Sequence, residues 1–317
     1  MENSDTPPTF LEFLSGLIDP AVLMCWSLKS DFIPVTYTHT LLTIFIRGQI
    51  LAPILQSRQV RDEAFSRFWI NFSAPRVTVD EHGVPDTSNL SGSGALIPPL
   101  LQKIRGVVLD VGPGTGTQMP YFIQPAKENV SAIYGAEPCV GLHAELRERA
   151  ALCGLEAKYH ILSCSADKKE LIDALRRDGV QVNNAATNAN KEKEKGIFDT
   201  MICIRVLCSV PNPAETISDL YSLLRPGGQM IIVEHVVNPF TLFGSKKGGS
   251  LMARCLQTVY SLLGWSFLIG DCCLDRDTET YLRNAAERDG GWESFDLEHR
   301  FAWTTLPYIS GVLVKRQ

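Results

Sequence analysis

An aspartate and three glycines at alternate positions directly follow a short apolar run. The run comprises residues 107–109, the acid is Asp110, and the glycines are Gly112, Gly114 and Gly116. A buried strand that leads into a turn without side chains lets backbone N–H groups approach a ligand closely at the start of the next helix. A carboxylate at the end of that strand suits a cationic or amine-bearing ligand better than a pyrophosphate, which it would repel. The pattern therefore favours S-adenosylmethionine over a dinucleotide.

Further candidate residues stand at the ends of later predicted strands. Glu137 ends the second strand, where a carboxylate can accept hydrogen bonds from both hydroxyls of a ribose. Arg205 and Val206 follow the fourth strand and are expected to line the floor of the same ligand site. The alternatives are a helix-capping role for Asp110, a solvated surface position for Glu137, and a solvent-facing or acid-paired side chain for Arg205.

The spacing of apolar residues predicts alternating strands and helices. Strands are expected over residues 107–111, 130–136, 158–162, 198–204 and 229–233, helices over 142–153, 169–177, 213–224, 250–263 and 278–288, and a closing hairpin over 295–303 and 308–314. This order predicts an α/β fold with a doubly wound, mostly parallel seven-stranded sheet, a C-terminal antiparallel hairpin and an N-terminal helical lid. Ligands of such sheets bind at the topological switch point, here between the first and fourth strands.

The chain is expected to divide near residue 95. Residues 1–95 form a helical lid or a membrane-associating segment, with two short helices over 10–14 and 20–26. The uncharged run 32–46 has 15 residues, fewer than the roughly 20 that span a bilayer, which favours the lid over a spanning helix. Residues 96–317 form the ligand-binding domain, and the polar, low-complexity insertion 178–196 is predicted to be disordered.

Composition excludes several classes of protein. The net charge of −5 and the pI near 5.7 give no basic surface for nucleic acid, so a small molecule is the expected partner. Nine cysteines without a CxxC pair indicate a reducing, intracellular compartment, and the first eight residues are not those of a secretory signal. No metal site is predicted, because Cys272 and Cys273 are too closely spaced for tetrahedral zinc without further ligands.

The chain resembles the class I S-adenosylmethionine-dependent methyltransferases in four blocks that occur in the expected order. These blocks are residues 110–116, Glu137, Phe198-Asp199 and Arg225-Pro226-Gly227-Gly228. Within that superfamily, the chain from about residue 61 onward is similar to the methyltransferase-like seven group of small membrane-associated thiol methyltransferases. The matching segments are 206–210 with Asn212, 223–228, 234–236, 272–278 and, more weakly, 61–68. Quinone C-methyltransferases share several of these blocks, and the insertion 178–196 is not expected in the thiol group.

The resemblance implies a cofactor, an acceptor and a location. The cofactor is S-adenosylmethionine, whose adenine would lie near Ser165 and Ala166 after the third strand. The acceptor is a small, largely apolar molecule, with a thiol as the first expectation, in detoxification or in the tailoring of secondary metabolites. The composition indicates a cytoplasmic location, and the resemblance adds, as an alternative, peripheral contact of the N-terminal segment with the cytosolic face of an intracellular membrane. The oligomeric state is not indicated.

His235, directly after the fifth strand, is the candidate general base. A thiol with a pKa of about 8.5 needs only modest help to ionise, so a base is useful without being required. The alternative is a buried structural histidine. Three alternatives to a thiol methyltransferase also remain open. They are methylation of O, N or C, as in a quinone-like substrate, a Rossmann dehydrogenase, and a non-catalytic binding module. The dehydrogenase is disfavoured, because its fingerprint is Gly-x-Gly-x-x-Gly, whereas residues 112–116 read Gly-x-Gly-x-Gly.

Overall fold

The computed structural model describes residues 9–74, 85–88, 90–122, 126–180, 196–241 and 248–317. The chain divides into two compact units. The first contains Met1–Ala74, His235–Arg276 and His299–Tyr308, and the second contains Pro75–Glu234, Asp277–Glu298 and Ile309–Gln317. Most of the insertion predicted over residues 178–196 lies outside the described residues.

Seven strands form one sheet in the order β3-β2-β1-β4-β5-β7-β6. The strands are β1 (Gly106–Val111), β2 (Val130–Ala136), β3 (Tyr159–Leu162), β4 (Phe198–Ile204), β5 (Leu224–His235), β6 (Ser294–Arg300) and β7 (Tyr308–Val314). The β1–β2, β1–β4, β2–β3 and β4–β5 pairs are parallel, and the last two strands are antiparallel. The predicted doubly wound, mostly parallel sheet with a C-terminal antiparallel pair is confirmed, with its switch point between β1 and β4.

Some of the α-helices begin at capping residues that the sequence carries. In chain order they are α1 (Phe10–Ser27), α2 (Ile33–Thr40), α3 (Ala52–Leu55), α4 (Ser57–Ser73), α5 (Pro98–Leu101), α6 (Ala126–Asn129), α7 (His143–Leu152), α8 (Lys168–Arg177), α9 (Pro213–Leu223), α10 (Leu251–Leu262), α11 (Trp265–Leu268) and α12 (Thr278–Ala285). The Asp167 side chain caps α8, Ser250 caps α10 and Asp277 caps α12, each by accepting a backbone N–H of the first turn.

Two blocks that carry the family resemblance hold the starts of the central strands. The Asp199 carboxylate accepts a hydrogen bond from the Val107 N–H at 2.8 Å and pairs with the Arg225 guanidinium at 2.6 Å. These contacts join the first residues of β1, β4 and β5. The Phe-Asp and Arg-Pro-Gly-Gly blocks therefore stabilise the sheet at the end opposite the switch-point cleft.

The first unit contains one continuous N-terminal helix, Phe10–Ile46, in which π-helical turns at Leu28–Phe32 and Leu41–Ile46 follow α1 and α2. The expectation of two short helices is wrong, because Pro20 lies inside α1 without ending it. A capping box between Thr9 and Glu12 begins the helix. With 37 residues and a mean hydropathy of 1.4 over its most apolar 18-residue stretch, it is long and apolar enough to cross a membrane by length and composition alone. Buried core helices and signal sequences pass the same test.

Candidate active site

The glycine turn lies directly beyond β1, beside the end of β2. The Gly112 N–H donates to the Ala136 carbonyl oxygen at 2.9 Å, so the parallel ladder continues one residue past the strand. Gly112, Gly114 and Gly116 have φ angles of +56°, +61° and +75°. This left-handed backbone is accessible to glycine at little cost and is strained for other residues. The alternating glycines are therefore required by the path of the turn itself.

Neighbouring side chains also leave no room for a Cβ atom at two of these glycines. A Cβ atom on Gly112 would fall on the Val206 side chain, which follows β4. A Cβ atom on Gly116 would lie 3.0 Å from both the Leu146 Cδ1 atom and the Met119 sulfur. The structure thus brings the first and fourth strand ends into direct contact at Gly112 and Val206, as the position of the switch point predicts.

Glu137 is held in place by two backbone N–H groups. Its side chain is buried, with the residue 5% exposed. Oε2 accepts from the Gly114 N–H and Oε1 accepts from the Cys139 N–H, both at 2.8 Å. Burial raises the pKa of Glu137, and these two hydrogen bonds oppose the rise. A carboxylate offers about four acceptor positions, so each oxygen can accept a further hydrogen bond from a ligand hydroxyl.

Asp110 lies beneath the turn in a buried network. The residue is 1% exposed, and its carboxylate accepts hydrogen bonds from the Gln118 amide at 3.0 Å and from the Tyr159 hydroxyl at 2.9 Å. Burial raises the pKa of Asp110 to about 7, while the two donors oppose the rise. These contacts agree with a role in supporting the loop. Sequence reasoning missed Gln118 and Tyr159, because neither carries a local signal that relates it to Asp110.

The backbone of the segment after β4 is held by Glu234, which was not predicted from the sequence to contact that segment. The fully buried Glu234 uses Oε1 to accept hydrogen bonds from the Val206 N–H at 2.8 Å and the Leu207 N–H at 2.9 Å. Arg205 directly before them has a left-handed backbone, with φ at +57°, and strained residues of this kind cluster at functional sites. Its Nη2 donates to the Ser93 hydroxyl at 2.9 Å, whereas its buried Nε has no hydrogen-bond partner among the described residues.

Ser165 and Ala166, the predicted adenine neighbours, occupy the loop after β3. The Ser165 hydroxyl donates to the Glu170 carboxylate at 2.8 Å and accepts from the Asp167 N–H at 3.2 Å. These contacts organise the start of α8. The polar atoms of Ser165 are thus engaged within the loop, and contact with adenine stays a prediction that rests on position.

His235, the candidate base, belongs to the first unit and is buried, with 4% exposed. Its Nε2 lies 3.0 Å from the Cys272 sulfur, which also accepts a hydrogen bond from the Trp265 indole N–H at 3.3 Å. The imidazole ring meets the Tyr308 ring edge-on at 6.1 Å. A buried imidazole with a thiol partner is compatible with either predicted role, a base or a structural histidine.

Comparison with known proteins places the chain in a family. The methyltransferase domain family matches residues 93–290. The human thiol S-methyltransferase TMT1B is 36% identical over 124 residues, covering 38% of this chain and 45% of that protein. The phosphatidylethanolamine N-methyltransferase of Cereibacter sphaeroides is 24% identical over 161 residues, covering 50% of this chain and 63% of that protein. The chain spans about half the length of the curated relatives it matches.

Solved structures with a similar fold include two methyltransferases. The geranyl diphosphate C-methyltransferase of Streptomyces coelicolor A3(2), in complex with Mg2+, geranyl diphosphate and S-adenosyl-L-homocysteine, is 12% identical with a TM-score of 0.45, over 81% of this chain and 98% of that one. An O-methyltransferase family protein from Burkholderia thailandensis is 12% identical with a TM-score of 0.43, over 86% of this chain and 63% of that one.

The family match covers more than half of the chain and includes the glycine turn, Glu137 and the segment after β4. The methyltransferase class and the S-adenosylmethionine cofactor predicted from the sequence are confirmed at the level of the family. The chain belongs to the methyltransferase domain family, within the class I S-adenosylmethionine-dependent methyltransferases.

Proposed function

We propose that this protein transfers the methyl group of S-adenosylmethionine to the sulfur of a small, largely apolar thiol. The observation that carries the cofactor part is the glycine turn whose Gly114 N–H is bound to the buried Glu137 carboxylate. The thiol part is supported by the similarity to human thiol S-methyltransferase TMT1B, a protein of which the match covers 45%.

The residues at the switch point fit the cofactor. The turn from Gly112 to Gly116 has a left-handed backbone at its three glycines directly beside Glu137, which brings bare backbone to the switch point. Glu137 retains acceptor positions for the two ribose hydroxyls. The buried Arg205 Nε is a donor that lacks a partner within the described part of the chain, and a bound ligand would supply one. Asp110 supports the turn, and Ser165 and Ala166 face the adenine.

The chemistry requires alignment more than acid or base groups. S-adenosylmethionine supplies an electrophilic methyl group on a sulfonium that is already a good leaving group. The protein fixes the donor through Glu137 and Arg205, so that the acceptor sulfur can approach in line with the breaking bond. Val206, packed over Gly112, covers the turn with an apolar surface that excludes water. His235 accepts the thiol proton at a ring nitrogen when the acceptor arrives un-ionised.

A panel of acceptors tests this proposal. Thiols, phenols and amines are incubated with isotopically labelled S-adenosylmethionine, and the products are identified by mass spectrometry. Methylated thiols are expected, and Gly114→Val should abolish both turnover and calorimetric binding of the cofactor, because φ at this position is +61°. Methylation confined to phenols, amines or a quinone-like carbon would reject the thiol assignment. Cofactor binding without any product would identify a binding module.

We further propose that the N-terminal segment contacts the cytosolic face of an intracellular membrane peripherally. The support is the exposed apolar surface of the helix Phe10–Ile46, of which only 22% is buried over its most apolar stretch. Extraction of membranes with alkaline carbonate tests the geometry. Release of the protein is expected for peripheral contact, whereas retention would indicate a spanning helix.

A further inference from the structure

Nearly all of the exposed large apolar side chains belong to the first unit. Among the described residues, only Val140 and Leu152 of this group belong to the second unit. The others lie on the N-terminal helix, on the segment that follows it, and around α10 and α11. The last set comprises Leu251, Met252, Val259, Leu262, Leu263 and Phe267. Concentrated apolar exposure of this kind marks a site of interaction with a partner or a membrane.

Helix α10 buries the polar side chain of Gln257, beside Ala253 and Tyr260, and exposes large apolar side chains. Gln257 is fully buried, and its amide nitrogen donates to the carbonyl oxygens of Val236, Leu274 and Thr305 at 3.0–3.2 Å. Its amide oxygen accepts from the Asn238 N–H at 2.8 Å. The leucines, methionine and valine named above lie on the opposite side. A surface helix of a water-soluble domain has the reverse arrangement.

The N-terminal helix packs within the first unit through polar contacts as well as through the apolar cluster of Val35, Val60 and Ala64. The Ser27 hydroxyl donates to the Leu268 carbonyl oxygen at 2.8 Å, and the Tyr260 hydroxyl donates to that of Leu17 at 3.0 Å. Thr43 is buried, whereas Phe45 is 76% exposed. Polar side chains thus contribute to the contacts between the helices, as they do in helix bundles within lipid, while many large apolar side chains remain exposed.

The charges around this surface favour lipid over a protein partner. From residue 20 to residue 60, the exposed charged side chains are Lys29, Arg47 and Arg58. Asp31, the one acid in that stretch, is buried. Exposed acids lie outside that stretch, at Glu12, Asp19, Asp62, Glu63 and Asp271. The basic stretch from Lys29 to Arg58 is the part of the surface that complements the anionic headgroups of a cytosolic leaflet.

We propose that α10 and α11 form, together with the N-terminal helix, one continuous apolar face that is embedded in a single leaflet of a membrane. This inference rests on the membrane contact proposed above and adds a second, C-terminal element to it. Helix α10 has 12 residues, so its length of about 18 Å is too short to cross a hydrocarbon core of about 30 Å. Helix α10 can therefore lie only within one leaflet, and the N-terminal helix that packs against it is placed in the same leaflet.

Two native thiols report on the two halves of the face. Cys25, on α1, and Cys255, on α10, are both exposed, and the half-buried Cys139 of the second unit is an internal control. The full chain is treated with a membrane-impermeant maleimide, with and without vesicles of phosphatidylcholine and phosphatidylserine, and labelling is followed by peptide mass spectrometry. Vesicles should slow the labelling of Cys25 and Cys255 by about tenfold or more and leave Cys139 unchanged.

The outcomes separate the two proposals. Protection of Cys25 alone would leave the N-terminal contact standing and overturn the role of α10 and α11. Protection of neither thiol would overturn both. Methyl transfer is measured separately on the soluble acceptor panel, so its failure cannot be confused with either result.

A matched pair of substitutions provides a second readout. Leu262 is 82% exposed in the first unit, and Leu152 is 63% exposed in the second, so a charge at either position leaves the fold intact. Leu262→Glu should lower cosedimentation with vesicles by about tenfold, and Leu152→Glu should have no effect. Equal cosedimentation of Leu262→Glu and wild type would overturn the inference. A defined dimer without vesicles that Leu262→Glu dissociates would identify a second copy as the occupant and overturn it too.

Discussion

Replacing Glu137 by glutamine separates the two tasks assigned to this carboxylate. In the structure, its two oxygens accept hydrogen bonds from the Gly114 and Cys139 N–H groups, both at 2.8 Å. In the proposed complex, the same oxygens also accept from the ribose hydroxyls. Glutamine keeps the shape of the side chain but has one acceptor oxygen and loses the charge. The substitution therefore weakens the support of the turn and the binding of the ribose.

The two losses have different magnitudes and different readouts. Hydrogen bonds to a charged group are worth about 1.5–3 kcal/mol, so affinity for S-adenosylmethionine should fall roughly 10- to 150-fold. The glutamine NH2 group would face one of the two backbone donors, and an unpaired buried N–H costs about 1–3 kcal/mol of folding stability. Calorimetric titration measures the first loss, and denaturant unfolding of the free protein measures the second.

A cofactor analogue makes the test specific. The analogue is S-adenosylhomocysteine that lacks both ribose hydroxyls, compared with intact S-adenosylhomocysteine on wild type and on Glu137→Gln. If Glu137 binds the ribose, removal of the hydroxyls should weaken binding to wild type much more than binding to the variant. The control is Glu128→Gln, because Glu128 is an exposed acid just before the start of β2, at the opposite end of that strand from Glu137. The same loss in wild type and variant would restrict Glu137 to supporting the turn.

Three further substitutions test the surrounding groups. Tyr159→Phe removes a hydrogen-bond donor from Asp110. Burial raises the pKa of Asp110 to about 7, so the stabilising protonated form is present at low pH and is lost as the pH rises through that value. Thermal melts should therefore show a larger loss of stability at about pH 9, where the carboxylate is charged, than at about pH 5. Glu234→Leu leaves two buried N–H groups unpaired and should cost about 2–5 kcal/mol in unfolding experiments, while Glu234→Gln, whose amide oxygen can still accept, should cost less. His235→Asn should lower turnover roughly 10²–10⁴-fold with recovery at high pH if His235 is a base; joint loss of stability and activity without recovery would show that it is a structural partner of Cys272.

The centre of the sheet could be predicted from the sequence because strands such as β4 and β5 are buried on both faces. The predicted spans of β2 and β4, residues 130–136 and 198–204, agree with the observed Val130–Ala136 and Phe198–Ile204. Central parallel strands are largely apolar runs, and an acid stands at the ends of β1, β2 and β5, at Asp110, Glu137 and Glu234. The predicted start of β5 at residue 229 is late, because the observed strand, Leu224–His235, includes the Arg-Pro-Gly-Gly turn.

The N-terminal helix could not be read in the same way. Its continuity from Phe10 to Ile46 is hidden by Pro20 and Pro34, and the π-helical turn at Leu28–Phe32 displaces the helical period between them. A rule that assigns apolar residues to the interior also fails where the apolar residues are exposed. The buried Ser27 and the exposed residues around it reverse the pattern on which that rule depends.

The contacts of Asp110 below the glycine turn show why some residues of the site could not be predicted from the sequence. Asp110 of β1, Gly135 of β2 and Ile161 of β3 lie side by side in the parallel register. The Tyr159 hydroxyl reaches Asp110 across β2, and a Cβ on Gly135 would lie 2.5 Å from that hydroxyl. The glycine in the middle strand therefore opens the path through which the outer strand supports the inner one. Such a contact depends on the register of three strands, and the local spacing of residues carries no trace of it.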